Sequence, residues 1–152
     1  DRKGWSRFIS MQNHYNLLNR EEEREMIPLC AAEGVGLIPW SPLARGLLAR
    51  EAGHESRRNG NDFLNDRLYG ETEAADGRVI DAVAEVASRH GVPRAQIALA
   101  WVMSNPAVTA PIVGASRESQ LDDAVAAMSI NLSDEDVAAL TEHYVPHKVV
   151  GF

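Results

Sequence analysis

Cysteine is nearly absent from this sequence, which holds one cysteine in 152 residues. A single cysteine excludes an internal disulfide framework and a zinc site built from several cysteines. No apolar run approaches the ~20 residues that a membrane-spanning helix needs. Basic residues are also few: 15 Lys and Arg stand against 22 Asp and Glu, a net charge of −7. An acidic chain is a poor candidate for nonspecific nucleic-acid binding, although a local basic pocket for a phosphorylated ligand stays open.

Glycine and proline are too scarce for a collagen-like or low-complexity chain, with 11 and 7 residues. The hydrophobic fraction of 45% and the charged fraction of 24% are typical of one globular domain. The first residues contain no apolar signal core, so we expect a cytoplasmic protein. The sequence opens on Asp1 and soon reaches a strand-like run, which suggests a fragment or a processed piece.

Short apolar runs alternate with helical patterns along the chain, an order typical of parallel βα units. Three strands on their own would leave open sheet edges, so the pattern indicates part of a larger α/β structure. We expect a kink or split near Pro28, helix stops at Gly34 and Gly91, and a capping box from Ser133 to Asp136. Strands are predicted over 8–12, 35–40 and 111–114, the first of them buried, and helical patterns over 20–33, 79–90, 93–104, 121–128 and 134–144.

The stretch 51–75 is polar and aperiodic. A loop of that length in a compact domain is usually a lid or a disordered segment.

The first candidate site is Trp40-Ser41-Pro42-Leu43-Ala44-Arg45-Gly46, directly after a predicted strand. A fixed turn with a hydroxyl, an arginine and a glycine at a strand end suits a phosphate oxygen. The aromatic ring could stack on a flat heterocycle. The alternative is a tight turn with a core tryptophan and a solvated arginine.

The second candidate site runs from Ile112 to Gln120, where a strand ends in Gly114 and a helix begins within a few residues. Backbone N–H groups at a helix start, with Ser116 and Arg117, make an anion site. The alternative is a capped helix start with an exposed arginine. Neighbouring parallel strands would place both candidates at one end of the sheet. In a β/α barrel that end holds the active site, with a phosphate site after strands seven and eight.

Three motifs, Ser-Met-Gln-Asn-His-Tyr-Asn (10–16), Ile-Pro-Trp-Ser-Pro-Leu-Ala-Arg-Gly (38–46) and Ile-Val-Gly-Ala-Ser-Arg (112–117), resemble the aldo/keto reductases in order and separation. The tail Tyr144-Val145-Pro146-His147 resembles the bacterial branch that includes the deoxyxylulose-phosphate-synthase-like oxidoreductases. The resemblance covers essentially the whole chain, and it is specific as a set.

The resemblance implies that residues 1–152 are the C-terminal half of an eight-stranded (β/α)8 barrel. This half would hold strands six to eight and two additional helices, near 76–90 and 134–144. It implies an NADPH-dependent oxidoreductase that reduces aldehydes or ketones to alcohols by hydride transfer. The expected partners are a small carbonyl substrate and the missing N-terminal half of the barrel, with no nucleic acid, membrane or metal, and association into an oligomer stays open.

The resemblance also implies a role for individual residues in holding NADP(H). Gln12 would hydrogen-bond the nicotinamide carboxamide, and Trp40 would stack on its ring. Many relatives have Asn where this chain has Ala124, which puts one adenine contact in doubt. The remaining expected contacts are Ser41, Leu43, Arg45 and Gly46 for the pyrophosphate, Gly114, Ser116 and Arg117 for the 2′-phosphate loop, and Gln120 and Asp123 beside the adenine.

No catalytic residue is expected within this chain, because the family's Asp, Tyr, Lys and His lie on the absent half. His14 follows a strand but does not match the catalytic histidine, and we interpret it as structural. Cys30 is expected to be a buried small hydrophobe. The other four histidines are expected to be solvated, and Trp5 and Trp101 to serve packing.

Two alternatives to an enzyme remain. The same fold serves as a nucleotide-sensing accessory subunit of potassium channels, so the chain could be a non-catalytic, nucleotide-binding module. It could also be an inactive truncated fragment, whose exposed strand edges would favour aggregation.

Overall fold

Three parallel segments form the small sheet in the computed structural model, which describes residues 3–50, 68–69 and 72–147. Strand β1 (Ser10–Met11) pairs with β2 (Gly36–Leu37), with Ser10 opposite Gly36 and Met11 opposite Leu37. A third segment joins the other side of β2 through parallel bridges from Leu37 to Val108 and from Trp40 to Ile112. The parallel α/β arrangement is confirmed, and its strands are shorter than the apolar runs predicted.

Five α-helices lie wholly in the part of the chain that the structure describes. None of them is both long enough and apolar enough to cross a membrane. They are α1 (Met26–Glu33), α2 (Glu73–His90), α3 (Arg94–Ser104), α4 (Glu118–Ala126) and α5 (Asp134–Thr141), with 3-10 turns at Glu21–Glu23, Ala44–Gly46 and Ala127–Ser129.

The predicted helix stops are confirmed at two glycines. Gly34 and Gly91 both have a φ of 66°, a left-handed conformation that glycine adopts without steric cost. The helix pattern after residue 20 is split as predicted, but the break precedes Pro28. Because α1 begins at Met26, Pro28 lies in its first turn. Backbone N–H groups of the first turn have no acceptor within the helix, so a proline there costs no helical hydrogen bond.

Two parts of the stretch 51–75, expected to be irregular, are helical: Leu68 and Tyr69, which are buried, and residues 73–75 at the start of α2. The described residues of that stretch are Leu68, Tyr69 and 72–75. The expectation of a lid or disordered segment over 51–67 falls outside the described residues.

The core lies between the sheet and helices α2 and α3. In α3 every residue from Ile97 to Val102 is buried, and Trp101 packs against Tyr15 with ring centroids 5.2 Å apart. The packing roles expected for Trp101 and Cys30 are confirmed, since both are 4% exposed. Burying one large aliphatic side chain contributes about 1.5–3 kcal/mol. Fully buried members include Leu17, Leu18, Leu37, Val79, Val83, Val86 and Leu140.

The outer side of β1 corrects the prediction of a buried first strand. Phe8 and Ile9 are 87% and 85% exposed, since no other described residue covers them. Trp5 is 76% exposed, with the Lys3 ammonium 4.8 Å from its ring, so its expected packing role is wrong as well. The helical pattern over 121–128 is confirmed, yet its apolar stripe is also exposed at Leu121, Val125 and Met128.

Candidate functional site

Trp40 stands at the centre of the carboxyl edge of the sheet. Its parallel bridges connect it to His14 on one side and to Ile112 on the other. Its backbone N–H donates to the carbonyl oxygen of Asn13 at 2.8 Å, while Ile112 donates to Pro39 at 2.8 Å. The segments that follow β1, β2 and the third paired segment therefore begin side by side, as expected for neighbouring parallel strands.

The half-buried Trp40 ring stacks on the imidazole of His14. The ring centroids are 4.1 Å apart and the planes differ by 10°. Gln12, two residues earlier in the chain, is exposed at the same edge of the sheet. The sequence placed Gln12 and Trp40 at the ends of their strands, but it gave no reason to expect the ring of His14 against Trp40.

The loop after Trp40 is tightly wound. The described residues include three non-glycine positions with positive φ, and all three lie here: Ser41 (55°), Ala44 (47°) and Arg45 (56°). Such conformations are costly for residues with a Cβ, and they concentrate at functional sites. The loop is held by its own polar groups, because the backbone N–H of Arg45 donates to Ser41 Oγ at 3.1 Å.

Gly46 closes this loop against an arginine. Its φ is 98°, and a Cβ built there would lie 2.9 Å from the guanidinium of Arg50. That guanidinium donates to the carbonyl oxygen of Arg45 at 2.9 Å. The half-buried Leu43 packs against the hydrophobic core and anchors the loop from below. This stretch therefore brings two arginines and several backbone amides together after β2.

The second candidate loop gathers donors around one oxygen. The backbone N–H groups of Ser116 and Arg117 donate to Gln120 Oε1 at 2.8 Å and 3.2 Å, and the Ser116 hydroxyl lies 3.2 Å from it. A glutamine three residues into a helix that reaches back in this way is half of a capping box. The same donors suit an anionic oxygen such as that of a phosphate. Gly114, Ser116 and Arg117 are exposed.

Asp123 has a partner within the protein. The Gln96 side-chain amide of α3 donates to its carboxylate at 2.8 Å, which ties α4 to α3. Asp123 and Gln120 thus both make internal hydrogen bonds at the positions expected beside the adenine.

A buried polar network behind Trp40 was missed by sequence reasoning. The side-chain nitrogen of Asn16 lies 2.9 Å from the Ser41 carbonyl oxygen, 3.1 Å from Tyr69 Oη and 3.1 Å from His14 Nε2. Tyr69 Oη lies 2.9 Å from the same imidazole nitrogen. Burial, followed by the charge of His147, lowers the pKa of His14 to about 4. The imidazole is therefore neutral at neutral pH.

His147 extends this network and corrects a prediction, because it was expected to be solvated and is 7% exposed. Its Nε2 lies 3.1 Å from Asp76 Oδ1, and its Nδ1 lies 3.3 Å from the Leu68 carbonyl oxygen. An acceptor oxygen near each ring nitrogen favours the doubly protonated imidazolium. The ring also meets Tyr69 edge-on at 6.2 Å.

His90 is exposed, as expected, and its ring contacts a carboxylate. It pairs with the buried Asp136 at 2.8 Å, beside Arg89 at 2.8 Å. Within the described ranges, no three His, Cys, Asp or Glu side chains are grouped to hold a metal ion.

Comparison with known proteins identifies the family. The aldo/keto reductase family model matches residues 1–145, so this chain belongs to the aldo/keto reductase family. It is 45% identical over 150 residues to versiconal hemiacetal acetate reductase of Aspergillus parasiticus, covering 97% of this chain and 43% of that protein. It is 44% identical over 150 residues to aldo-keto reductase dtxS3 of Metarhizium robertsii, covering 98% of this chain and 40% of that protein.

A solved structure shows the same fold. The crystal structure of the thermostable aldo-keto reductase Tm1743, in complex with the inhibitor epalrestat, superposes with a TM-score of 0.67 at 26% identity. The match covers 93% of this chain and 42% of that one. This chain therefore spans less than half the length of these relatives. The two curated relatives are fungal, whereas the tail had suggested a bacterial branch.

Proposed function

We propose that this chain is the C-terminal, cofactor-binding half of an NADPH-dependent aldo/keto reductase that reduces aldehydes or ketones to alcohols. Residues 1–152 would contribute strands six to eight of a (β/α)8 barrel. The observation that carries the proposal is the position of Trp40. Its bridges to His14 and Ile112 bring three parallel segments together at one edge of the sheet, which is where barrels of this type bind their ligands.

In this proposal the groups at that edge bind successive parts of one extended ligand. Gln12 and Trp40 hold the nicotinamide end. The loop of Ser41, Leu43, Arg45 and Gly46 holds the pyrophosphate, supported by the donor-rich geometry of a turn with three left-handed residues. The loop of Gly114, Ser116 and Arg117 holds the 2′-phosphate, and Gln120 and Asp123 lie beside the adenine.

The Ser116–Arg117 loop supports a preference for NADPH over NADH. Two backbone N–H groups and a hydroxyl already surround a single oxygen there, that of Gln120. Arg117 adds an exposed guanidinium, which pairs well with phosphate. In binding the 2′-phosphate, the loop would exchange the Gln120 oxygen for a phosphate oxygen and release Gln120 toward the adenine.

The division of chemistry follows from this placement. The bound cofactor supplies the hydride, and the residues of this chain bind and orient it. We assign no catalytic residue here, because the family's Asp, Tyr, Lys and His would come from the other half of the barrel.

The exposed side of β1 supports the existence of that other half. Phe8 and Ile9 stand almost fully in solvent beside a strand that pairs, among the described residues, only with β2. Uncovered strand edges and apolar side chains favour association with another chain segment. The chain's 43% and 40% shares of its relatives' lengths leave room for a further strand-bearing portion.

The test is a titration of the chain with NADPH and with NADH, followed by nucleotide fluorescence. We expect micromolar NADPH binding, weaker NADH binding, and loss of that difference in Arg117→Ala. Removing a charge-assisted contact of this kind costs about 1.5–3 kcal/mol, or about tenfold to a hundredfold in affinity. Arg7→Ala is the matched control, since Arg7 is an exposed arginine that pairs with Glu33 near β1.

Two results would contradict the proposal. A well-folded chain that binds neither nucleotide would contradict the assigned contacts. Equal loss of NADPH and NADH binding in Arg117→Ala would contradict the 2′-phosphate role. If the complete protein bound NADPH but turned over no aldehyde or ketone, the accessory nucleotide-binding module would replace the enzyme.

A further inference from the structure

The aromatic ring proposed to face the nicotinamide is backed by a second flat ring. His14 lies parallel to Trp40, with centroids 4.1 Å apart and an interplanar angle of 10°. An indole bonded to the backbone by two rotatable bonds needs a neighbour to fix its plane. His14 is directly opposite Trp40 in the parallel pairing of their strands, so the two Cα atoms have fixed positions.

The orientation of His14 is itself fixed by hydrogen bonds. Nε2 lies 2.9 Å from the Tyr69 hydroxyl oxygen and 3.1 Å from the Asn16 amide nitrogen. Both groups are buried, and Asn16 also donates to Tyr69 at 3.1 Å. The Tyr69 hydroxyl accepts from Asn16, and its oxygen is within hydrogen-bond distance of His14 Nε2. Burial keeps the imidazole neutral.

We propose that His14 is a positioning residue that sets the plane of Trp40 for stacking on the nicotinamide, and that Tyr69 and Asn16 hold His14 in place. The proposal rests on the function proposed above and adds a role for residues outside the expected cofactor contacts. Tyr69 is positioned in turn by His147, whose ring meets it at 6.2 Å. His147 is anchored by Asp76 of α2. A histidine that follows α5 thereby contributes to the geometry behind Trp40.

The role of His14 predicts a selective effect on one end of the nucleotide. We expect His14→Ala to weaken NADPH binding about tenfold. The variant loses the stacking of the imidazole on Trp40, and the freed Trp40 ring must then be ordered when the nucleotide binds. Binding of adenosine 2′,5′-bisphosphate, which carries no nicotinamide, should stay within about twofold. His14→Phe keeps a flat ring against Trp40, so it should restore NADPH affinity to within about threefold of the wild-type chain.

Tyr69→Phe provides a second test with a smaller change. It removes only the hydroxyl that orients His14, so a fold defect is less expected than with His14→Ala. We expect about threefold weaker NADPH binding and unchanged binding of the bisphosphate. Far-ultraviolet circular dichroism of each variant verifies that the comparison is made between folded proteins.

The outcomes separate this proposal from the one it rests on. Equal weakening of NADPH and the bisphosphate in His14→Ala and Tyr69→Phe would show a merely structural role and overturn the positioning role. Unchanged NADPH binding in His14→Ala would also overturn it. Failure of the wild-type chain to bind either nucleotide would instead contradict the proposed cofactor site itself.

Discussion

Asp76 and His147 are 71 positions apart in the sequence, yet the carboxylate Oδ1 and the imidazole Nε2 lie 3.1 Å apart. Asp76 belongs to the first turns of α2, and His147 follows α5. The side chains of His147 and Asp76 are 4% and 7% exposed. The tail is held further by Glu21, whose carboxylate accepts from the Tyr144 hydroxyl at 2.7 Å and the His147 backbone N–H at 2.8 Å. These contacts fasten the segment that follows α5 to two separate elements.

The first prediction concerns His147 and pH. Burial disfavours the charged imidazolium, but the hydrogen bond and charge of Asp76 raise the pKa of His147 above 6.5. A raised folded-state pKa gives stability that is complete below the unfolded pKa and is lost as pH rises through the folded value. We expect His147→Gln to lower the free energy of unfolding by about 1–3 kcal/mol at mildly acid pH, and by less at alkaline pH. Urea unfolding at both pH values measures the difference.

Asp76→Asn should reproduce this pattern, because it removes the other partner of the pair. His143→Gln, a half-buried histidine in the same tail, serves as the control and should change stability little. A loss of stability in His147→Gln that is the same at both pH values would show that the pair contributes packing alone.

The second prediction concerns His14 and acid. Its pKa is lowered to about 4 from 6.5, mainly by burial and secondly by the charge of His147. Between these values the unfolded chain binds a proton that the folded chain does not, so stability falls as pH falls. We expect the wild-type free energy of unfolding to drop by about 2 kcal/mol more than that of His14→Phe over this window. Parallel slopes for the two proteins would show that His14 does not titrate as described.

The third prediction compares two glycines. Gly46 has a φ of 98°, and the Arg50 guanidinium lies 2.9 Å from the position that a Cβ would take. Gly46→Ala should therefore distort the loop and destabilise the protein by about 1–2 kcal/mol. Gly77 lies inside α2 with nothing within 4 Å of such a Cβ. Gly77→Ala should therefore stabilise the protein by about 0.5–1 kcal/mol. Thermal unfolding of both variants gives the two signs, and destabilisation by Gly77→Ala would contradict the space described around it.

The fourth prediction concerns the start of α5. Asp136 accepts hydrogen bonds from His90, Arg89 and Ser133, and these partners hold the pKa of its carboxyl well below its usual range. We expect Asp136→Ala to cost about 2–4 kcal/mol, because it removes the capping box and leaves Arg89 and His90 without their acceptor. Ser133→Ala should cost about 1 kcal/mol, since it removes the cap alone.

Asp134→Ala is the matched control for the charge at this helix start. Asp134 is an exposed first-turn carboxylate, and its loss should cost about 0.3–1 kcal/mol through the helix dipole. Chemical denaturation ranks the three variants. Equal costs for Asp136→Ala and Asp134→Ala would show that the Arg89 and His90 contacts add nothing.

Local signals predicted the parts of the fold that depend on neighbouring residues. The stops at Gly34 and Gly91 and the capping box at Ser133 follow from backbone conformation and short-range hydrogen bonds, and all are confirmed. The burial of Phe8 and Ile9 was predicted wrongly because it depends on what lies across the sheet edge. The burial of His147 was missed because its partner Asp76 is far away in sequence.

The candidate site was predictable in outline for a similar reason. Strand order placed the loops after Trp40 and Gly114 at one edge without any knowledge of contacts. The stack of His14 on Trp40 requires the register of two strands, which a single sequence does not give. The place of Asn16 between Ser41 and Tyr69 requires the tertiary fold, since Tyr69 is 53 positions away.

If the loop after Trp40 binds a nucleotide as proposed, its winding determines how fast and how firmly the nucleotide binds. The Asn16 side chain pins the Ser41 carbonyl, and the Ser41 hydroxyl pins the Arg45 amide, so the left-handed turns are set by the protein's own bonds. The loop therefore loses its conformational entropy during folding, and little further entropy is lost when a ligand binds. Such preorganisation favours rigid, lock-and-key association whose rate is governed by diffusion and charge instead of loop rearrangement.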